Sequence, residues 1–185
     1  MLFIQKLWNC FVNWNIAPAT PQELRTADVI VTQACSRLKD NSPGPVNKVL
    51  ADVTRRLWEH YRLPILPQEE IAMADPTLPI HTRIGASLDG VSTMQWNTYV
   101  VAKWQARICL ENGWKRVIVV AVPYHMGRAC AVYRKVGLIP FPVAMPAQEK
   151  QYFLPELKMW ALRTPLRAKS RELACRLLFL YKEWI

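Results

Sequence analysis

No Cys-x-x-Cys pair, no Gly-x-Gly-x-x-Gly run and no apolar stretch of membrane-spanning length occurs in this chain of 185 residues. Each absence closes off a class. The five cysteines, Cys10, Cys35, Cys109, Cys130 and Cys175, are odd in number and widely spaced. That speaks against a disulfide framework or a zinc site. They read as small buried hydrophobes in a reducing compartment. Without the glycine fingerprint, hydride transfer from a nicotinamide is not expected. Without an apolar run of about 20 residues, a transmembrane helix is not expected. Helix-turn-helix, zinc-finger and base-stacking motifs are missing too, so nucleic acid is not an expected partner. There are no internal repeats and no low-complexity segments.

What is present is positive charge. Lys and Arg number 24 against 14 Asp and Glu, a formal charge of +10. Such a balance favours anionic partners, either phosphorylated small molecules or an anionic membrane surface. The basic residues are spread along the chain, densest from Lys150 to Lys182, and that spread favours a plain solvated basic surface over a dedicated anion partner. The length suits one domain with a sizeable core, expected over 23–185. Residues 1–22 read as an N-terminal apolar helix or arm. Met1–Trp14 is apolar and aromatic, with Lys6 its one cation and no small-residue cleavage site, unlike a signal peptide. It either packs on the domain or lies in a membrane interface. The expected location is the cytoplasm, with peripheral attachment to the inner membrane as the alternative.

Strands and helices alternate. Asp28–Gln33, Leu63–Leu66, Ile80–Ile84, Val117–Val122 and Leu138–Val143 read as strands, about five in all. Pro140 and Pro142 confine the last to an edge. Val46–Tyr61 carries apolar residues at the 3.6-residue period. A helix opened by a capping box at Ser92–Gln95 carries Trp96, Val100, Trp104 and Ile108, read as core, and ends at Asn112-Gly113. Another runs over Met126–Val136 to Gly137. The last starts at Thr164-Pro165 and carries a stripe of Leu166, Leu173, Leu177, Tyr181 and Trp184. This pattern predicts an α/β fold, a mostly parallel sheet with helices on both faces.

The most telling stretch is Arg116–Arg128. Its apolar run suits a strand buried on both faces. The run stops at Pro123, and His125 and Arg128 follow in the first turn of the next helix. A helix N-terminus is already partly positive, so these two residues oppose its dipole. An anion held there would remove the conflict. In a doubly wound sheet, that junction lies where ligands bind.

The segments Gly113-Trp114-Lys115-Arg116-Val117-Ile118-Val119-Val120 and Tyr124-His125-Met126-Gly127-Arg128-Ala129 resemble the domain of unknown function 218 family, the SanA/ElyC/YdcF-like group. Asn97-Thr98-Tyr99 and Ala102 are similar to that family's upstream Asn-Thr-Tyr-Glu-Asn-Ala segment, with Val100 and Val101 in place of its Glu and Asn. Ala34-Cys35-Ser36-Arg37 and Leu66-Pro67-Gln68 stand where the family has glycine-rich loops. The resemblance implies a three-layer Rossmann-like fold and a role in the cell envelope. It also makes S-adenosylmethionine or a nucleotide a candidate cofactor.

The candidate site residues follow. His125 suits anion binding or acid–base work, because its pKa lies near neutrality; alternatively it only caps the strand–helix turn. Arg128 suits a bidentate pair with phosphate or carboxylate, or an ion pair with a local acid. Tyr124 adjoins both. Asn97 and Thr98 either donate to a ligand or satisfy backbone groups of their own helix. Ser36 and Arg37 lie on the loop after the first strand, where Arg37 either meets the same anion or is an exposed loop charge. The expected function is binding of an anionic small molecule: nucleotide-like, S-adenosylmethionine-like or phosphorylated. If the protein is an enzyme, it is a transferase or hydrolase. The alternative is a non-catalytic module on a membrane surface, using Met1–Trp14 and the basic C-terminal helix.

Overall fold

A computed structural model describes residues 16–35, 37–85, 97–145 and 165–182. The arm expected over Met1–Trp14, Ser36, and the capping box at Ser92–Gln95 with Trp96 lie outside the described residues. The chain runs α1 (Pro21–Arg25), β1 (Val29–Thr32), α2 (Pro45–Tyr61), β2 (Ile65–Leu66), α3 (Glu69–Ala74), α4 (Thr98–Glu111), β3 (Arg116–Val120), α5 (Pro123–Lys135), β4 (Ile139–Pro142) and α6 (Pro165–Tyr181). The fold is α/β and Rossmann-like in arrangement. Four strands form one sheet in the order β2-β1-β3-β4, and every pairing is parallel.

Burial explains the order. Val29, Ile30, Val31 and Val117 to Val120 are fully buried. Continuous apolar runs of this kind occupy the centre of a parallel sheet. Val29 pairs with Val117 and Thr32 with Val120. Below this register Asp28 fastens the two strands, its carboxylate accepting from the N–H groups of Lys115 (2.9 Å) and Arg116 (2.8 Å). The Pro-containing β4 lies at an edge, as expected of a strand that lacks donors. Gly113 and Gly137, with φ of +72° and +88°, close α4 and α5. Both adopt the left-handed conformation that favours glycine after a helix.

Several expectations are corrected. Ile80–Ile84 is no strand: only Ile84 makes a bridge, to Gln68, although the His81 N–H reaches the Ile65 carbonyl. The described sheet therefore has four strands, not five. Thr20 and Glu23 form a capping box that opens α1, a helix the sequence reading passed over. Among the described residues, α4 takes Asn97 as its N-cap. Its innermost residues are Val101, Ala102, Gln105, Ala106 and Cys109, whereas Trp104 is half-buried with Arg107 over its ring.

Candidate functional site at the carboxyl ends of the strands

From β1 the chain turns one way, to β2, and from β3 the other way, to β4. The switch point of a doubly wound sheet lies between two such strands, outside their carboxyl ends. There the residues that follow β1 and β3 meet: Cys35 Sγ lies 3.5 Å from the Tyr124 hydroxyl. The Cys35 N–H donates to Asn47 Oδ1 (2.8 Å), and the Ala34 N–H donates to Gln68 Oε1 (2.9 Å). These bonds set the β1 loop against α2 and the β2 end. Burial, reinforced by Cys35, raises the Tyr124 pKa well above its ordinary value, so the phenol keeps its proton at neutral pH.

Beneath the ends of β1 and β2 runs a buried polar chain. Gln33 Nε2 donates to the Tyr133 hydroxyl (2.9 Å), which donates to Gln105 Oε1. Gln105 Nε2 then donates to the carbonyls of Thr32 (3.1 Å) and Leu66 (2.8 Å), the last residues of β1 and β2. One amide thus ties two strand ends to α4 and, through Tyr133, to α5. Gln105→Leu is expected to lower stability by about 2 kcal/mol, because buried acceptors lose their donor. Urea titration of the variant measures it.

At the starts of α4 and α5 lies a second cluster. His125, Arg128, Thr98, Glu172 and Arg176 are all buried. Arg128 Nε and Nη2 donate to the Glu172 carboxylate (3.0 and 2.9 Å), and its Nη1 donates to Thr98 Oγ1 (2.6 Å). Arg176 Nε also donates to Glu172 Oε1, at 3.2 Å, the oxygen that accepts from Arg128 Nε. The Arg128 guanidinium also lies over Phe179, 4.9 Å from the ring centre. His125 Nε2 is 3.2 Å from Thr98 Oγ1. That hydroxyl accepts from Arg128 and still has its own proton to donate to Nε2; the imidazole proton then sits on Nδ1, on the side of the Glu172 carboxylate. Nδ1 faces Glu172 Oε2 at 3.6 Å, too long for a good hydrogen bond.

Burial, assisted by the Arg128 cation, lowers the His125 pKa to about 4 against the pull of Glu172. Burial alone would raise the Glu172 carboxyl, but His125 and Arg128 outweigh it and hold the group at about 2. At neutral pH the imidazole is uncharged, so the permanent guanidiniums keep the carboxylate ionised.

No family model matches the chain, and no curated protein or solved structure matches it either.

The sequence-derived site residues therefore divide. His125, Arg128 and Thr98 come together, and the anion that resolves their conflict with the helix dipole belongs to the protein: it is Glu172. Of the two readings for Arg128, the ion pair with an internal acid is the arrangement found. Asn97 acts locally, its Oδ1 accepting from the N–H groups of Tyr99 (2.9 Å) and Val100 (3.1 Å). Arg37 does not join Arg128 on a shared anion. It closes on Glu69 and Glu70 of α3, both at 3.0 Å. Tyr124 stands at the switch point, while Ser36 lies outside the described residues. Glu172, Gln105 and Cys35's contact with Tyr124 escaped the sequence reading. A buried carboxylate or amide has no local signature when its partners lie far along the chain.

Proposed function

We propose that this protein binds a small anionic molecule in the crevice outside β1 and β3. The ligand is nucleotide-like, S-adenosylmethionine-like or phosphorylated. The observation that carries the reading is the meeting of Cys35 and Tyr124 at the switch point. Three helices add to it. α2, α4 and α5, of 17, 14 and 13 residues, begin on this side of the sheet, and none has an acidic residue in its first turn. Their partial positive charge favours an anion. Right-handed crossovers would place α2 on one face and α4 and α5 on the other, a three-layer Rossmann-like domain. The resemblance to the domain of unknown function 218 family and its cell-envelope role belong to the same proposal. Tyr124 is the polar anchor, Cys35 sets the crevice width, and the α4 start with Asn97 closes one side. His125, Arg128 and Thr98 support that wall through Glu172.

A thermal-shift screen of nucleotides, S-adenosylmethionine, sugar phosphates and inorganic phosphate tests the proposal. A ligand at a hundredfold its Kd adds about 2.7 kcal/mol, or roughly 5–10 °C for a chain of this size. Cys35→Leu, which fills the crevice, should abolish the shift. A shift that survives Cys35→Leu, or no shift with any compound, refutes the reading.

A further inference from the structure

Helix α6 is built inside out. Its inward residues are Glu172, Arg176 and Phe179, each no more than 3 % exposed. Its outward residues include Leu166 (76 % exposed), Leu177 (38 %), Leu178 (49 %) and Tyr181 (81 %). The stripe that sequence periodicity marks as apolar therefore faces away from the protein at Leu166, Leu177 and Tyr181. Arg176, expected on a solvated basic face, points inward. The reason is the cluster at the starts of α4 and α5. Arg128 and His125 need a carboxylate, and only the face of α6 that carries Glu172 supplies it.

At 3.6 residues per turn, the four outward apolar residues fall within about 120° of arc. Basic residues border that arc. Lys169 precedes it, Arg171 and Lys182 follow it, and exposed Arg167 lies within it. The one acid of α6, Glu172, is buried on the opposite side. We propose that this face of α6 docks on the surface of a bilayer rich in anionic phospholipid. Leu166, Leu177 and Leu178 enter the acyl boundary, and Tyr181 sits at headgroup level. Lys169 and Lys182, both exposed, extend along the flanks to the phosphates, their stems covering apolar surface. Charge complementarity selects this occupant. A second copy of the same helix would set one row of cations against another, which disfavours self-pairing. No helix among the described residues is long and apolar enough to cross a membrane, so the contact is interfacial. This proposal is independent of the small-molecule reading.

Flotation of the full chain with phosphatidylcholine vesicles, with and without phosphatidylglycerol, tests it. Binding is expected on the mixed vesicles only and should fall as salt rises. Lys169→Ala and Lys182→Ala should each weaken it roughly fivefold. Leu178→Ser and Tyr181→Ser should each weaken it about tenfold or more. Both residues are exposed, so the thermal midpoint should not move. Three outcomes overturn the proposal: no vesicle binding, binding that all four variants leave intact, or a concentration-dependent dimer that Leu178→Ser and Tyr181→Ser dissolve. The second outcome would assign membrane contact to another segment, and the third would assign α6 to self-association.

Discussion

Glu172→Gln is expected to destabilise the protein by about 3–5 kcal/mol, the usual cost of leaving a buried charge without its partner. The variant keeps the shape of the side chain and removes only the anion. Arg128 and Arg176, both buried, then face a neutral amide, and neither guanidinium can shed its charge. A drop of roughly 6–20 °C in thermal midpoint follows for a chain of this length. The double variant Glu172→Met with Arg128→Met separates the charge effect from packing. Replacing both partners by apolar groups leaves one fewer buried cation, so it should recover part of the loss, Arg176 still lacking the Glu172 carboxylate. If Glu172→Gln folds as stably as the parent, the carboxylate is not the counter-ion of this cluster. The helix-terminal conflict at His125 and Arg128 would then need an anion from outside.

Acid should loosen the same cluster, and His125 should act first. Its folded pKa of about 4 lies below the ordinary value of 6.5. Between those values the unfolded chain binds a proton that the buried imidazole refuses. Stability is therefore complete above pH 6.5 and falls as pH drops through 4, by on the order of 3 kcal/mol. Glu172 adds a second, lower window. Its folded pKa of about 2 lies below the ordinary 4.5, so its contribution is present above 4.5 and is lost as pH falls towards 2. Thr98 and Arg128 face the imidazole from α4 and α5, Glu172 faces it from α6, and the Arg171 cation of α6 adds to the repulsion. None of these changes charge between pH 6.5 and 4.5. Urea unfolding of the parent and of His125→Gln across pH 7 to 5, above the range in which the carboxyls contribute most, isolates the histidine: the parent curve should slope more steeply than the variant curve. Equal slopes would show that the imidazole is solvated in the folded state.

The two effects bear on function through position. Glu172 reaches the α4 and α5 starts from a helix 44 residues beyond Arg128. It fixes the wall behind Tyr124, so variants there are expected to change ligand affinity only by disturbing the wall. Cys35→Leu and Tyr124→Phe act in the crevice itself and should leave the acid response intact. Comparing the two sets distinguishes a supporting cluster from a binding surface.

Legibility tracked the range of the interactions. The run Val117 to Val120 announced a buried central strand because every residue in it is apolar. Asn112-Gly113 and Gly137 announced helix ends because the left-handed turn needs a residue that tolerates it. The Pro-rich Ile139–Pro142 announced an edge because proline cannot donate to a ladder. Each is a property of a few consecutive residues. Arg128 was readable as a cation in need of an anion, but the source of that anion was not.

The alternation of strands and helices, the helix ends at Gly113 and Gly137 and the parallel sheet were thus set by local chemistry, whereas the bridge at Ile84 and the helix at Pro21–Arg25 were not legible in it. Tertiary structure alone decided that Glu172 would answer Arg128, that Gln105 would tie the ends of β1 and β2, and that α6 would turn Leu166, Leu177 and Leu178 outward. Those outcomes depend on a competition that periodicity does not weigh. Satisfying buried guanidiniums outranks burying a leucine stripe, because an unpaired buried charge costs more than an exposed apolar side chain.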